Sequence, residues 1–296
     1  EQENFSFEIE GPDGELPSFQ FYIRKSLKPF LEAWKKKRVQ FQAAKKTKYI
    51  SFKPPKTGLI LIDQFVFSDF ITEERYYNGL WNMLGVDDQQ KTFFVPTLVN
   101  INEKDFEETY LELRNCEKQF LIKEDYLTSL DLLFSLFHLV RVWFIKLSKQ
   151  HVAGIEFSSL IREELLSRTG FDNALEGLLS YRFARRLKEK SFDLSLVIDW
   201  WEGQPLDKGW NLGFRKYFKK IKTYGYQGFL HVPHFMHLSP AKHEEESKVI
   251  PSEIIVVGKA YKNIKKEFFP KVKVSIGPAL SYLDVLKTNS KSNCYL

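Results

Sequence analysis

Short apolar runs alternate with segments of helical periodicity along much of this chain. The runs that predict strands lie at residues 59–62, 91–99, 193–198, 221–227, 252–258 and 271–277. Helical spacing predicts helices at residues 27–41, 73–84, 103–117, 127–147, 158–169, 172–190 and 261–268. Short strands that alternate with helices are typical of βαβ units, so the pattern predicts an α/β fold with a parallel sheet.

Proline, glycine and helix-capping residues predict the boundaries of several elements. Pro96 places the second strand at a sheet edge or makes it short, because proline cannot donate to a ladder. Gly170 is expected to end one helix, and Asn173 with Glu176 has the spacing of a capping box for the next. Residues 240–251, PAKHEEESKVIP, are charged and bounded by prolines, which is typical of an interdomain linker.

The composition favours a folded protein with anionic partners. Hydrophobic residues make up 43% of the 296 positions, which excludes global disorder. Cys116 and Cys294 lie far apart and form no CxxC pair, as expected in a reducing cytosol. The net charge of +6 gathers in clusters, each of which either attracts anionic lipid or phosphorylated small molecules or is simply a solvated lysine-rich face. Nucleic acid is not expected as a partner, since zinc-finger spacing and ribonucleoprotein motifs are both missing.

Residues 127–147, LTSLDLLFSLFHLVRVWFIKL, are about long enough to span a bilayer. Asp131, His138, Arg141 and Lys146 interrupt the segment, and each charge at mid-bilayer is costly. The segment is therefore predicted to be a buried or interfacial helix.

Polar side chains follow several of the predicted strands at the point where each strand ends. They are Asp63 and Gln64, then Asp199, Glu202 and Gln204, then Tyr226, Gln227 and Gly228, and finally Gly258. The carboxyl ends of parallel strands share one edge, where α/β proteins bind their ligands. We therefore predict a polar-ligand cleft. Indole faces stack on sugars, yet core packing is the default for Trp200 and Trp201, and at most one should face this cleft.

Glu202 is the first candidate for a general base and Asp199 is the second. Burial beside tryptophan raises the pKa of a carboxyl group towards neutrality, where a base works best. The alternative interpretation is that either carboxylate caps the next helix or pairs with Lys208 or Arg215.

Two further features are open to more than one interpretation. His231, His234, His237 and His243 lie within thirteen residues. This spacing invites a metal site, but a solvated loop, or one histidine acting on a phosphate, is the simpler interpretation, so no metal is expected. Strict phosphate-loop motifs are missing, although VVGKAYKNIKK (residues 256–266) predicts a strand, a glycine and a helix whose N-terminus suits phosphate.

Four motifs follow one another in order: LVIDWWEGQPLDKGWNLGFRKYF, KTYGYQGF, KVIPSEIIVVGKAY and VKVSIGPAL. Together they resemble the bacterial surface carbohydrate biosynthesis proteins of O-antigen and capsule loci, which look like GT-B glycosyltransferases. The resemblance covers about residues 120–285. Gly203 stands where that pattern has Asn, and Gly228 where relatives often carry His, and either departure would weaken a polar site.

The resemblance implies a GT-B-like division of the chain. Residues 1–55 would be an N-terminal segment of uncertain structure, residues 56–240 a Rossmann-like acceptor-side domain, residues 241–251 a linker, and residues 252–296 the beginning of a truncated second Rossmann-like domain on the donor side. The chain starts with Glu rather than Met, and we expect it to be a fragment.

The same resemblance implies transfer of a sugar from a nucleotide-activated donor to a glycan or lipid-linked acceptor. No cofactor is expected, since the nucleotide sugar is a substrate. The expected acceptor contacts are Trp201, Gln204, Tyr226, Gln227 and Asp63. Gly258 and Lys259 would approach the donor phosphate. A cytoplasmic protein, peripheral at the inner face of the inner membrane, is expected. The competing interpretation is a non-catalytic scaffold in a polysaccharide assembly complex.

Overall fold

A single parallel sheet organises the chain. The computed structural model describes residues 19–48, 58–73, 75–147, 151–152, 155–230 and 235–282. The six sheet strands are β1 (Leu59–Val66), β2 (Thr92–Leu98), β5 (Leu194–Trp200), β6 (Thr223–Gln227), β7 (Glu253–Val256) and β8 (Val274–Ile276). They lie in the order β2-β1-β5-β6-β7-β8 and every neighbouring pair is parallel. The prediction of an α/β fold is confirmed, and the sheet is consistent with a Rossmann-like fold.

Helices cover both faces of this sheet. The longer ones are α1 (Phe19–Lys46), α4 (Phe106–Asn115), α5 (Ser129–Leu136), α7 (Ser158–Leu165), α8 (Arg168–Glu189), α9 (Pro205–Tyr217) and α11 (Lys259–Phe268). The shorter elements are α2 (Leu80–Met83), α3 (Val86–Lys91), α6 (His138–Trp143) and α10 (Lys242–Glu246), with β3 (His151–Val152) and β4 (Ile155–Glu156) forming a small antiparallel pair.

β1 and β2 are buried on both faces, as expected for a parallel sheet between helical layers. Leu61 and Val197 pack with α8 and α9 in one core cluster. Ile62 and Phe94 point to the opposite face and pack with α4 in another. Alternate side chains of one strand therefore serve two cores, which explains why the strand segments are continuously apolar rather than alternating.

One predicted feature is confirmed and several predicted boundaries are wrong. β2 is an edge strand with Pro96 inside it, as predicted. The predicted helix at residues 73–84 is reduced to the single turn of α2, and residues 127–147 form α5 and α6. Gly170 ends no helix: α8 begins at Arg168, where the Ser167 hydroxyl accepts the Gly170 N–H over 2.8 Å. The Ser167 hydroxyl therefore caps the N-terminus of α8. The predicted capping box at residues 173–176 lies inside this helix.

The strands expected to open a second domain extend the first sheet. Tyr226 of β6 pairs with Ile255 of β7, and β8 follows in register. The predicted linker contains α10, whose Glu245 pairs with Arg215 of α9 over 2.6 Å. Within the described residues, the strands before and after residues 241–251 thus belong to one sheet.

No helix in the described ranges is both long and apolar enough to cross a bilayer.

The strand order reverses once, between β1 and β5. From β1 the chain moves outward to β2, and then returns to the other side of β1 with β5, after which β6, β7 and β8 follow outward. In open α/β sheets a crevice opens at the carboxyl ends of the strands where the order reverses. This switch point directs attention to the last residues of β1 and β5.

Candidate functional site

Asp63 and Asp199 lie next to each other at the switch point. Ile62 of β1 pairs with Ile198 of β5, and an aspartate follows each of them. Asp63 and Asp199 therefore lie side by side on neighbouring strands. Both carboxyl groups are buried, with 3% and 0% of their residues exposed. Two adjacent strands therefore bring two enclosed carboxyl groups to the same point, but Asp63 and Gln64 lie within β1, which continues to Val66, and not at its end as predicted.

Asp199 is held by α9. Asn211 donates from Nδ2 to Oδ2 of Asp199 over 2.6 Å, while Oδ1 has no hydrogen-bond partner among the described residues. Burial raises the pKa of Asp199 well above its usual range, and the nearby carboxylates of Asp207 and Asp63 raise it further. Because Asp199 is enclosed, it does not contact a substrate in this arrangement; its hydrogen bond to Asn211 holds α9 against the end of β5.

Asp207, which was not predicted as a site residue, fixes the segment after β5. Its Oδ2 accepts the backbone N–H groups of Glu202 over 3.0 Å and Gln204 over 2.9 Å. Burial raises the pKa of Asp207 well above its usual range, against the effect of these two hydrogen bonds. The sequence did contain a signal for this role. Asp207 lies three residues after Gln204 at the start of a helical pattern, which is the spacing of an N-terminal capping box.

Glu202 stands at the rim with part of its surface exposed. Its Oε1 accepts from the indole Nε1 of Trp200 over 2.8 Å, and its Oε2 accepts from Nε2 of Gln204 over 2.6 Å. The Trp200 ring is fixed in turn by Tyr76, at 4.2 Å between ring centroids. Each carboxylate oxygen keeps a lone pair for another donor, so Glu202 is oriented and can still accept a proton.

A buried ionic network continues from Asp63 away from the rim. Thr97 donates to Oδ1 of Asp63 over 3.0 Å, and Lys123 reaches Thr97 and forms an ion pair with Glu176 of α8. Lys37 of α1 pairs with the other oxygen of Glu176 over 2.5 Å. Burial raises the pKa of Asp63 to about 6, opposed by Lys123 and by the bond from Thr97. The same burial lowers the pKa of Lys123 to about 8.

Four side chains predicted to contact substrate are enclosed, Asp63 among them. Trp201 is 1% exposed and packs with Ile254 in a core cluster. The Tyr226 hydroxyl donates to the carbonyl of Pro278 over 2.8 Å, and Gln227 is buried. In this arrangement both tryptophans pack into the core, and Tyr226 secures the chain after β8.

Gly203 and Gly228 have steric reasons for their departure from the family pattern. Gly203 has φ of 75°, and a Cβ there would lie 2.0 Å from the carbonyl oxygen of His237. At Gly228 a Cβ would lie 2.4 Å from the ring of Tyr226. The close approach of residues 235–238 to the rim therefore depends on glycine at position 203.

The predicted donor-phosphate residues lie at the carboxyl end of β7. Gly258 precedes α11 in an extended conformation, and Lys259 begins the helix with its side chain exposed. His231 and His234 lie outside the described residues, while His237 is exposed and stacks on Phe235. In the described ranges no three His, Cys, Asp or Glu side chains are arranged to hold a metal ion.

An open cleft beside the rim was not predicted. Its volume is about 610 Å³. It is lined by Phe70, Thr72, Glu73, Arg75, Asn78, Gly79, Trp81, Asn82, Cys116, Glu117 and Lys118. The Arg75 guanidinium stands 5.5 Å from the ring centroid of Tyr76, the same ring that packs on Trp200. The cleft is therefore connected to Trp200 through Arg75 and Tyr76.

Neither a family model, a curated protein nor a solved structure matches the chain. The resemblance to surface carbohydrate proteins consequently stays a prediction.

Proposed function

We propose that this chain is a glycosyltransferase-like protein of cell-surface polysaccharide assembly. It would move a sugar from a nucleotide-activated donor to a hydroxyl group of a glycan or lipid-linked acceptor. The observation that carries the proposal is the position of Glu202, an oriented and partly exposed carboxylate beside the switch point of a parallel sheet. The order of the four sequence motifs supports the same assignment.

Glu202 is the proposed general base. It takes the proton of the acceptor hydroxyl as the oxygen attacks the anomeric carbon, while the bond from that carbon to the nucleotide diphosphate breaks and the diphosphate leaves with the electron pair. Trp200 and Gln204 hold the carboxylate through one bond to each oxygen. Asp207 is a positioning residue, because it binds the backbone N–H of Glu202.

The donor phosphates are proposed to lie at the start of α11. The first N–H groups of a helix lack partners within the helix and, with the helix dipole, attract anions. Gly258 and the exposed Lys259 stand at that start. A GT-B arrangement belongs to the proposal as well. In the described residues the strands expected to open its donor-side domain, β7 and β8, extend the first sheet.

The second candidate is a non-catalytic binding module of the same assembly pathway. The enclosure of Trp201, Tyr226 and Gln227 favours it, since these residues would be open to substrate in an active acceptor site. Such a module would bind a nucleotide sugar or glycan at the rim without turning it over.

Release of nucleotide diphosphate separates the two candidates. The full chain is incubated with UDP-, GDP- and dTDP-sugars and with lipid-linked or glycan acceptors. A transferase releases diphosphate, and Glu202→Gln lowers that release by at least about 100-fold, the usual contribution of a general base. The matched control Glu108→Gln, at an exposed position of α4, leaves it unchanged. Binding without release indicates the module, and neither binding nor release contradicts both.

A further inference from the structure

One helical surface of the protein is apolar on two opposite sides. In α5 and α6, Leu132, Leu139 and Val142 point inward and are buried. The opposite side presents a row of exposed apolar residues, which we call the exposed stripe. It consists of Leu130, Leu133, Phe137, Val140 and Phe144, whose exposed fractions run from 41% to 72%. When a helix is apolar on two sides and one of these sides is exposed to water, the exposed side indicates an interaction surface.

The exposed stripe is continuous across the junction of the two helices. Its members are spaced by three and four residues, which keeps them on one side of a helix. The Phe137 N–H donates to the Leu133 carbonyl over 3.4 Å, and the Arg141 N–H donates to the Phe137 carbonyl over 3.1 Å. Helical bonding thus passes through the junction, and the stripe is about 21 Å long at 1.5 Å per residue.

Cations surround the exposed stripe. Arg141 and Lys146 are exposed on its own segment, whereas Asp131 there is buried and paired with Arg182. The N-terminal half of α1 lies beside α6, where the Trp143 indole donates to the Ser26 hydroxyl over 2.9 Å. That half of α1 adds exposed apolar and basic residues. They are Phe21, Arg24, Lys25, Leu27, Lys28 and Leu31.

Two acids of this region are paired with basic side chains. Glu32 is paired with Arg168 over 3.2 Å, and Glu163 is paired with Lys25. The surface therefore keeps a net positive charge around its apolar stripe. A second copy of this surface would bring like charges together, whereas an anionic surface complements it.

We propose that the exposed stripe docks the protein on a bilayer that contains anionic lipid. The stripe inserts its apolar side chains at the level of the head groups, while Arg141, Lys146 and the cations of α1 meet the lipid phosphates. This inference does not depend on the glycosyltransferase proposal, because it concerns a different surface and is read out without any activity.

Vesicle sedimentation tests the proposal with the full chain. Vesicles of phosphatidylcholine and phosphatidylglycerol in equal amounts should bind the protein, and vesicles of phosphatidylcholine alone should bind it much less. Binding should weaken as salt is added, since the attraction is screened. Leu130→Ser together with Phe144→Ser should lower the partition coefficient by roughly tenfold or more.

A matched variant controls for the loss of exposed apolar surface. Met83→Ser with Val86→Ser changes residues that are 56% and 69% exposed on α2 and α3 and should bind as the wild type does. Circular dichroism establishes that each variant is folded. Equal binding by the stripe variant, or no binding of the wild type to mixed vesicles, overturns the proposal. So does a dimer in light scattering that the stripe variant abolishes, since the surface would then bind a second copy.

Discussion

Asn211 joins helix α9 to the carboxyl end of β5 through its 2.6 Å hydrogen bond to Asp199. The same Nδ2 group donates to the backbone carbonyl of Asp207 over 2.9 Å. One amide therefore ties together the enclosed carboxyl group at the switch point and the turn of α9 that positions Glu202. The geometry of the rim depends on a residue that never meets solvent.

Replacement of Asn211 should destabilise the fold. Asn211→Ala removes the donor from a buried carboxyl group and a buried carbonyl, and an unsatisfied buried polar group costs about 1–3 kcal/mol. We expect the free energy of unfolding to fall by about that amount in urea denaturation. Asn263→Ala, at an exposed position of α11, should change it by less than about 0.5 kcal/mol. Equal effects of the two changes would refute the role given to Asn211.

The ionic network behind Asp63 should be sensitive to the loss of Glu176. Glu176→Gln leaves both Lys37 and Lys123 without their carboxylate partner inside the protein. Breaking a buried ion pair in this way costs about 3–5 kcal/mol. Glu189→Gln is the matched control because Glu189 pairs with Arg185 at the surface, where a pair contributes up to about 1 kcal/mol. Thermal or urea unfolding of both variants measures the contrast.

Asp63 should make stability fall as the pH rises through mildly acidic values. Its pKa is about 6 in the folded protein, mainly because of burial, and about 3.8 ordinarily. The folded state thus binds the proton more tightly than the unfolded state, so stability is highest below pH 4 for this group and is lost up to pH 6. Two pH units correspond to about 3 kcal/mol.

Asp63→Asn isolates this contribution. The neutral amide can still accept the bond from Thr97, but it no longer titrates, so the decline in unfolding free energy from well below pH 4 to well above pH 6 should shrink by about 3 kcal/mol. Asp199 and Asp207 remain in both proteins, but the Asp63 charge raises the pKa of each, so their shares of the decline shrink as well in Asp63→Asn. Asp69→Asn, at an exposed position after β1, should keep the wild-type profile. An unchanged profile in Asp63→Asn would show that Asp63 titrates normally.

Gly203 should tolerate neither alanine nor the asparagine that the family pattern has there. Both residues would place a Cβ 2.0 Å from the carbonyl oxygen of His237. Alanine also resists a positive φ, whereas asparagine adopts it more easily. We expect losses of at least about 2 kcal/mol for both, while Gly85→Ala, with φ of −66° and no atom within 4 Å of the added Cβ, should be nearly neutral. A tolerated asparagine would mean that backbone conformation alone selects the glycine.

The parts of the site that follow from strand order were predictable from the sequence. Asp63 and Asp199 follow apolar runs on strands that pair in parallel, so local patterns were enough to bring the two side chains together, although β1 continues past Asp63 to Val66. The proline in β2 likewise identified an edge strand. These predictions depend on short apolar runs and on the missing N–H of proline, both of which are local properties, and on the general geometry of parallel sheets.

The contacts that depend on packing between distant segments could not be predicted in this way. The pairing of Lys123 with Glu176 joins a short turn to the middle of α8, and no periodicity of either segment indicates the other. The same holds for Trp201 and Tyr226, whose burial depends on how β7 and the chain after β8 cover them. The start of α8 was misplaced because Ser167 caps it and a helix tolerates Gly170.

Hydrogen exchange with a bound nucleotide sugar tests the central claim most directly. The account predicts that a saturating UDP-, GDP- or dTDP-sugar slows amide exchange in residues 199–204 and at the start of α11. Glu202→Gln should leave the unliganded exchange pattern unchanged. Protection confined to other parts of the sheet, or no protection with any of these donors, would contradict a ligand site at the carboxyl ends of β1 and β5.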